Sequence, residues 1–333
     1  MTILSLKKNL TFFTALTGTV IGTMHVVNRI FQYISTADNM LSDDKYDYYN
    51  WRFGKITYKK TGSGSPVLLI HDLNVCSSSY EFEKVCSKLS KTNTVYSIDL
   101  LGCGRSDRPA FTYTNFLYVE LITNFIKHII GEKTDVIVSG ESCPFVLMAC
   151  ANDDSIINKV VMINPPNLVK MAKIPTKASK LFKKLIFTPV IGTFIYNLNV
   201  NKKTILQKFI FSYYYAQNDI KERDILTYFE SSHKDHTHSK YLYACQKSRY
   251  LNANIVHCLS RLTNSIYIIV GNSNPENILA ANEYQNYLPS IEIKGIAKTK
   301  QMPHMEKPEE FFSDVKIFLS DACLLYTSDA ADD

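Results

Sequence analysis

Short apolar runs recur along the chain at SPVLLIH (65–71), NTVYSIDL (93–100), TDVIVSG (134–140), KVVMINP (159–165) and SIYIIVG (265–271). None alternates apolar with polar residues, so each predicts a strand buried on both faces, as in a parallel sheet covered by helices. Between the runs the spacing changes. Phe116, Leu117, Leu121, Ile122, Phe125, Ile126 and Ile129 recur at steps of three and four, the period of a helix with one apolar face. The alternation predicts an α/β fold with a doubly wound, mostly parallel sheet. Ligands of such sheets sit at the carboxyl ends of the strands. Upstream, YYNWRFGKITYKKTG predicts a hairpin turning at Phe53-Gly54.

Between the runs ending at Pro165 and starting at Ser265 the chain has helical character and no strong strand signal. An insertion of this length predicts a helical cap over residues 166–261, set into a core formed by 45–165 and 262–320. Residues 1–40 carry LTFFTALTGTVIGTMHVV, eighteen residues without Asp, Glu, Lys or Arg. As a helix that run measures roughly 27 Å, enough to cross a hydrocarbon core. It predicts an N-terminal membrane anchor, with the side of the membrane left open. Five threonines and His25 dilute the run, and the other expectation is an amphipathic helix packed on the domain or lying on a bilayer. CLLYTSDAADD departs in composition from the chain before it, and residues 321–333 read as a non-native tail.

With 333 residues and 46% hydrophobic content the chain can bury a large core. That composition excludes disorder. The net charge of +6 contains no basic block longer than two residues, so a nucleic-acid partner is not expected. Eight cysteines show no CxxC pair and no zinc spacing, so neither a metal nor a cofactor is expected. His233, His236 and His238 lie in a polar stretch that reads as a solvated loop, and His257 reads as packed on an apolar helix face.

Candidate chemistry gathers at the strand ends. In VIVSGESCPF a serine sits among small residues between a buried strand and a helix, the setting of a nucleophile elbow. LLIHDLN, SIDLLGCGRSDRP, GESCP and MPHMEKPEEFF occur in that order. With these four segments the chain resembles the α/β-hydrolase superfamily over about residues 45–320. The resemblance implies Ser142 as nucleophile, with the backbone NH groups of Leu73 and Cys143 as the oxyanion hole.

The chain also departs from the family pattern. Pro144 replaces the second elbow glycine and Asp72 the glycine after His71. Asn274 stands where the family has its acid, and Gln301 where it has its histidine. Glu276 is the nearest substitute acid, and His304 a base only if its loop rearranges. Two functions follow as expectations. One is a membrane-tethered serine hydrolase, esterase- or lipase-like, acting on a small acyl substrate under the cap. The other is a non-catalytic member of the fold that keeps the pocket as a binding or interaction site.

Overall fold

A computed structural model of the protein describes residues 3–42 and 45–320. The tail expected at 321–333 lies outside the described residues. Eight strands form one sheet: β1 (Asp47–Trp51), β2 (Gly54–Thr61), β3 (Ser65–Ile70), β4 (Asn93–Ile98), β5 (Thr134–Ser139), β6 (Ile157–Ile163), β7 (Ser265–Gly271) and β8 (Glu292–Ile296). Their order is β1-β2-β4-β3-β5-β6-β7-β8. β1 pairs with β2, and β2 with β4, antiparallel; all other neighbours are parallel. The mostly parallel sheet expected from the apolar runs is therefore present, and β1 and β2 form the expected hairpin with Trp51 opposite Gly54.

Side chains alternate across the sheet with the period of two that strands impose. Leu68, Ile70, Val136, Val138, Val160 and Met162 face one helical layer, built around α3 (Asn115–Phe125) and α4 (Cys143–Asn152). Val67, Leu69, Ile137, Val161, Ile163 and Ile269 face the other, which holds α2 (Glu83–Leu89). Both layers bury apolar side chains, which is why the strands read as continuous apolar runs.

Between β6 and β7 lie seven helices: α5 (Leu168–Met171), α6 (Lys177–Phe187), α7 (Val190–Asn199), α8 (Lys202–Lys208), α9 (Glu222–Thr237), α10 (Ser239–Lys247) and α11 (Val256–Leu259). Arg108 from the core locks this cap down. Its guanidinium is buried and donates to Ser239 Oγ at 2.8 Å and to the Ser231 carbonyl at 3.1 Å. The chain closes with α12 (Pro275–Tyr287), β8, α13 (Pro303–Glu306) and α14 (Pro308–Leu319).

The N-terminal segment forms one long helix, α1 (Ile3–Thr36). Among the described residues no helix is long and apolar enough to cross a membrane, so the expected single-span anchor is not supported. One face of α1 packs on the cap through polar groups that a bilayer interior would leave unsatisfied. Asn28 Nδ2 donates to the Val190 carbonyl at 3.0 Å, and Asn197 Nδ2 returns a bond to Asn28 Oδ1 at 2.9 Å. Thr237 Oγ1 donates to Gln32 Oε1 at 3.0 Å. After the helix, the buried carboxylate of Glu230 accepts the backbone NH groups of Met40 and Leu41.

Candidate active site

β5 ends at Ser139, and the chain turns at once into α4. The residue at the apex of that turn is Gly140, with φ of 55°. A Cβ placed there would come within 2.1 Å of Asp72 Oδ1. The conformation and the space both require glycine. Ser142, expected at the apex, lies two residues beyond it in helical geometry, with φ −79° and ψ −20°. Its side chain is fully buried, and Oγ donates to the His71 carbonyl at 2.7 Å. Pro144 therefore distorts nothing: it occupies the first turn of α4, where proline is tolerated, and Cys143 before it stays αR.

The same shift moves the oxyanion donors. In the hydrolase turn the NH that follows the apex points at the developing negative charge. Here that group is the Glu141 NH, and it donates to Asp72 Oδ1 at 2.7 Å. The expected donor, the Cys143 NH, closes a helical turn onto the Gly140 carbonyl instead. Leu73 does lie against the cleft, and its carbonyl is capped by Gln246 Nε2, which also reaches Glu141 Oε2 at 3.2 Å.

Asp72 is held from several sides. Its own NH donates to Glu81 Oε2 at 3.2 Å, and Glu81 Oε1 in turn accepts the Tyr228 hydroxyl at 2.9 Å. His71 fixes the strand end from below. Its Nε2 accepts the Leu100 NH at 3.0 Å, so the ring proton sits on Nδ1 and is donated to the Asp72 carbonyl at 2.7 Å. Burial pushes the Asp72 carboxyl well above the usual carboxylate range. The charges of Glu141 and Glu81 add to that rise, and Lys208 opposes it. Burial also raises Glu81.

The other expected site residues lie elsewhere. Asn274 caps α12, its side chain accepting the Glu276 NH at 3.2 Å. Glu276 is exposed in the first turn of that helix. Gln301 belongs to a loop pinned by Asn164, whose Nδ2 donates to the Lys300 and Gln301 carbonyls at 3.0 and 2.9 Å. His304 is buried in the layer behind the sheet, its ring 4.9 Å from that of Phe82 and 5.8 Å from that of Phe311. Neither ring nitrogen has a hydrogen-bond partner. Burial, with a smaller effect of Lys84, lowers its pKa to about 3. None of these four residues lines the cleft above the turn.

Two smaller expectations change as well. The histidine tract is only partly solvated: His233 lies in α9, buried and stacked 6.2 Å from Phe31 of α1, and burial takes its pKa to about 4, whereas the helix breaks at Lys234–His236 and His236 is exposed. His257 is exposed. Among the described residues no cluster of His, Cys, Asp or Glu can hold a metal, and all seven described cysteines are free thiols.

Above the turn a cleft of about 580 Å³ separates core from cap. Asp72, Leu73 and Glu141 form part of its floor, and Lys170, Lys208 and Lys247 stand around it. The sequence pattern of the alpha/beta hydrolase family matches residues 67–314. The chain belongs to that family. This α/β hydrolase is 26% identical over 182 residues to a soluble epoxide hydrolase of Corynebacterium sp. (strain C12), a match covering 52% of this chain and 62% of that one. Its fold resembles that of a probable hydrolytic enzyme from Pseudomonas aeruginosa PAO1, with TM-score 0.67 and 15% identity, covering 83% of this chain and 93% of that one. A membrane phospholipase A described as a bacterial virulence factor gives TM-score 0.65 at 16% identity, covering 94% of this chain and 98% of that one.

The residues that sequence reading passed over are Gly140, Glu141, Lys208, Lys247 and Arg249. One signal pointed to Gly140. The run TDVIVS is the strand, so the tight turn begins at residue 140. Family registers also place small residues two positions either side of the apex; Ser142 meets that rule for Gly140, but Val138 does not.

Proposed function

We propose that this α/β hydrolase uses the cleft between core and cap to bind a small molecule without cleaving it. The observation that carries the reading is the pair formed at the elbow, Gly140 at the apex and the Asp72 carboxyl on the Glu141 NH. Acyl transfer in this fold needs an attacking atom at the apex and a free NH beside it. A glycine supplies no attacking atom, and the NH is already bonded. The Ser142 hydroxyl is spent on the His71 carbonyl. Asn274 and Gln301 carry neither an acid nor a base, and His304 sits among phenylalanines. The test is turnover of p-nitrophenyl esters by the wild-type protein and by Ser142→Ala. Rates for both at the buffer background support binding alone; a wild-type rate lost in Ser142→Ala contradicts it.

A hydrolytic reading is favoured by one feature, the carboxyls of Asp72 and Glu141 within the cleft, which can carry acid–base work without a serine. In that case turnover survives in Ser142→Ala and disappears in Asp72→Asn.

The proposal places the protein at a membrane surface rather than across it. Leu16, Val20, Val26, Ile30 and Ile34 are 40% or more exposed. At about 100° per residue they fall on one face of α1, opposite the face that binds the cap through Asn28 and Gln32. Flotation with phosphatidylcholine–phosphatidylglycerol vesicles that is lost in Leu16→Ser/Ile30→Ser supports this placement. Flotation unchanged by the two substitutions, or none by the wild type, rules it out.

A further inference from the structure

The cleft has a strongly uneven charge. Lys170, Lys173, Lys208, Lys247 and Arg249 all line it, from three separate stretches of the cap. Two half-buried carboxyls meet them: Lys170 Nζ stands 3.9 Å from Glu141 Oε1, and burial raises the pKa of Asp72. Among the described residues Lys173, Lys208 and Arg249 make no direct ion pair with a carboxylate, and Lys208 acts on Asp72 only across a distance. The cations are close enough to act on one another. Partial burial lowers the Lys247 pKa first and the charge of Lys208 lowers it further, Glu141 opposing and Lys170 adding to the fall. Like charges gathered at one mouth repel, and an incoming anion relieves that repulsion.

The arrangement is built rather than accidental. Asn252 Nδ2 donates to the Lys170 and Lys173 carbonyls at 3.0 and 2.9 Å, holding the lysine-bearing turn at the rim. Arg249 sits at φ 64°, a backbone conformation that residues other than glycine seldom adopt. Beneath the cations the buried Leu73, Phe145, Val200 and Leu251 back the cleft beside polar Asn74, Asn199 and Gln246. The volume, about 580 Å³, suits a ligand of drug or lipid-chain size.

Resting on the reading of this cleft as a binding site, we infer that its ligand is an amphiphile with an anionic head group, a carboxylate or a phosphate. The head lies among Lys170, Lys208, Lys247 and Arg249, and the apolar body runs down toward the elbow. Asp72 then has a role in the empty-handed elbow: its carboxyl accepts the NH that would otherwise face an apolar chain unsatisfied.

Calorimetric titration of the full chain with dodecanoate, dodecyl phosphate, dodecanol and dodecyltrimethylammonium, each below its micelle concentration, tests the inference. The expected result is saturable binding of one or both anions, weaker binding of the alcohol and none of the cation. Affinity for the anion falls about tenfold in Lys208→Glu/Lys247→Glu, two exposed positions, and falls with added salt. The relative affinities of the two anions say whether the head group is a carboxylate or a phosphate. Equal binding of all four probes, no binding of any, or binding unchanged by the charge reversals overturns the anionic head group. Failure of the binding reading is recognised separately, by release of dodecanoate from methyl dodecanoate in a mass-spectrometric assay of the same samples.

Discussion

Asp72 Oδ1 accepts the backbone NH of Glu141 at 2.7 Å, so a carboxyl group of the chain itself occupies the donor that follows the apex of the elbow. The contact is possible only because residue 140 has no side chain.

Gly140→Ala is therefore expected to destabilise the fold by about 2–4 kcal/mol, combining the cost of a positive φ with the loss of the buried Asp72 hydrogen bond. Asp72→Ala removes the obstacle and leaves only the φ cost. Urea melts of both single variants and the double variant are expected to show a coupling of about 1–2 kcal/mol between the two sites. Additive losses would mean that the two residues do not meet.

His304 makes stability depend on pH. Its folded pKa of about 3 lies below the ordinary histidine value, so only the unfolded chain takes up a proton as pH falls from about 6.5 toward 3. Stability is full above that window and declines within it, by about 2 kcal/mol for this one group at pH 5. His233, with a folded pKa of about 4, adds a loss of the same sign. His304→Leu keeps the site apolar and abolishes its share, so the variant should gain on the wild type at pH 5 relative to pH 7 in chemical melts. An identical pH slope in both proteins would place the imidazole in a wetter site.

Glu230 straps the end of α1 to the cap by accepting the Met40 and Leu41 NH groups. Bonds to a charged acceptor contribute about 1.5–3 kcal/mol each. Glu230→Ala is expected to expose the 37–42 segment to chymotrypsin at the buried Leu41 and shorten its cleavage half-life several-fold, with little change in global melting. Unchanged cleavage would show that the packing of α1 alone holds the segment.

Much of the fold was legible because burial on both faces leaves a plain mark on a strand, as in SPVLLI and INKVVMI. β8 escaped notice: EIKGI is an edge strand with mostly half-exposed positions, and it carries no apolar run. The long helix α1 was legible as a helix, but its partners were not. Asn28 and Gln32 are ordinary polar residues until tertiary packing brings Asn197 and Thr237 to them. The same holds for His233, which looked solvated until α1 supplied Phe31. At the elbow the family pattern drew attention to a serine, while the deciding quantity was a backbone angle at the neighbouring glycine, and no residue letter records an angle. Gln301 and Asn274, standing where the family pattern has a histidine and an acid, were readable directly because they are letters within a motif.

The most direct test of a non-cleaving cleft is the intact mass of the wild-type protein after exposure to a fluorophosphonate, which bonds to activated serines. The expected mass is that of the unmodified chain, in the wild type and in Ser142→Ala alike. A single phosphonate adduct on the wild type, mapped to Ser142 and absent from Ser142→Ala, would contradict the account.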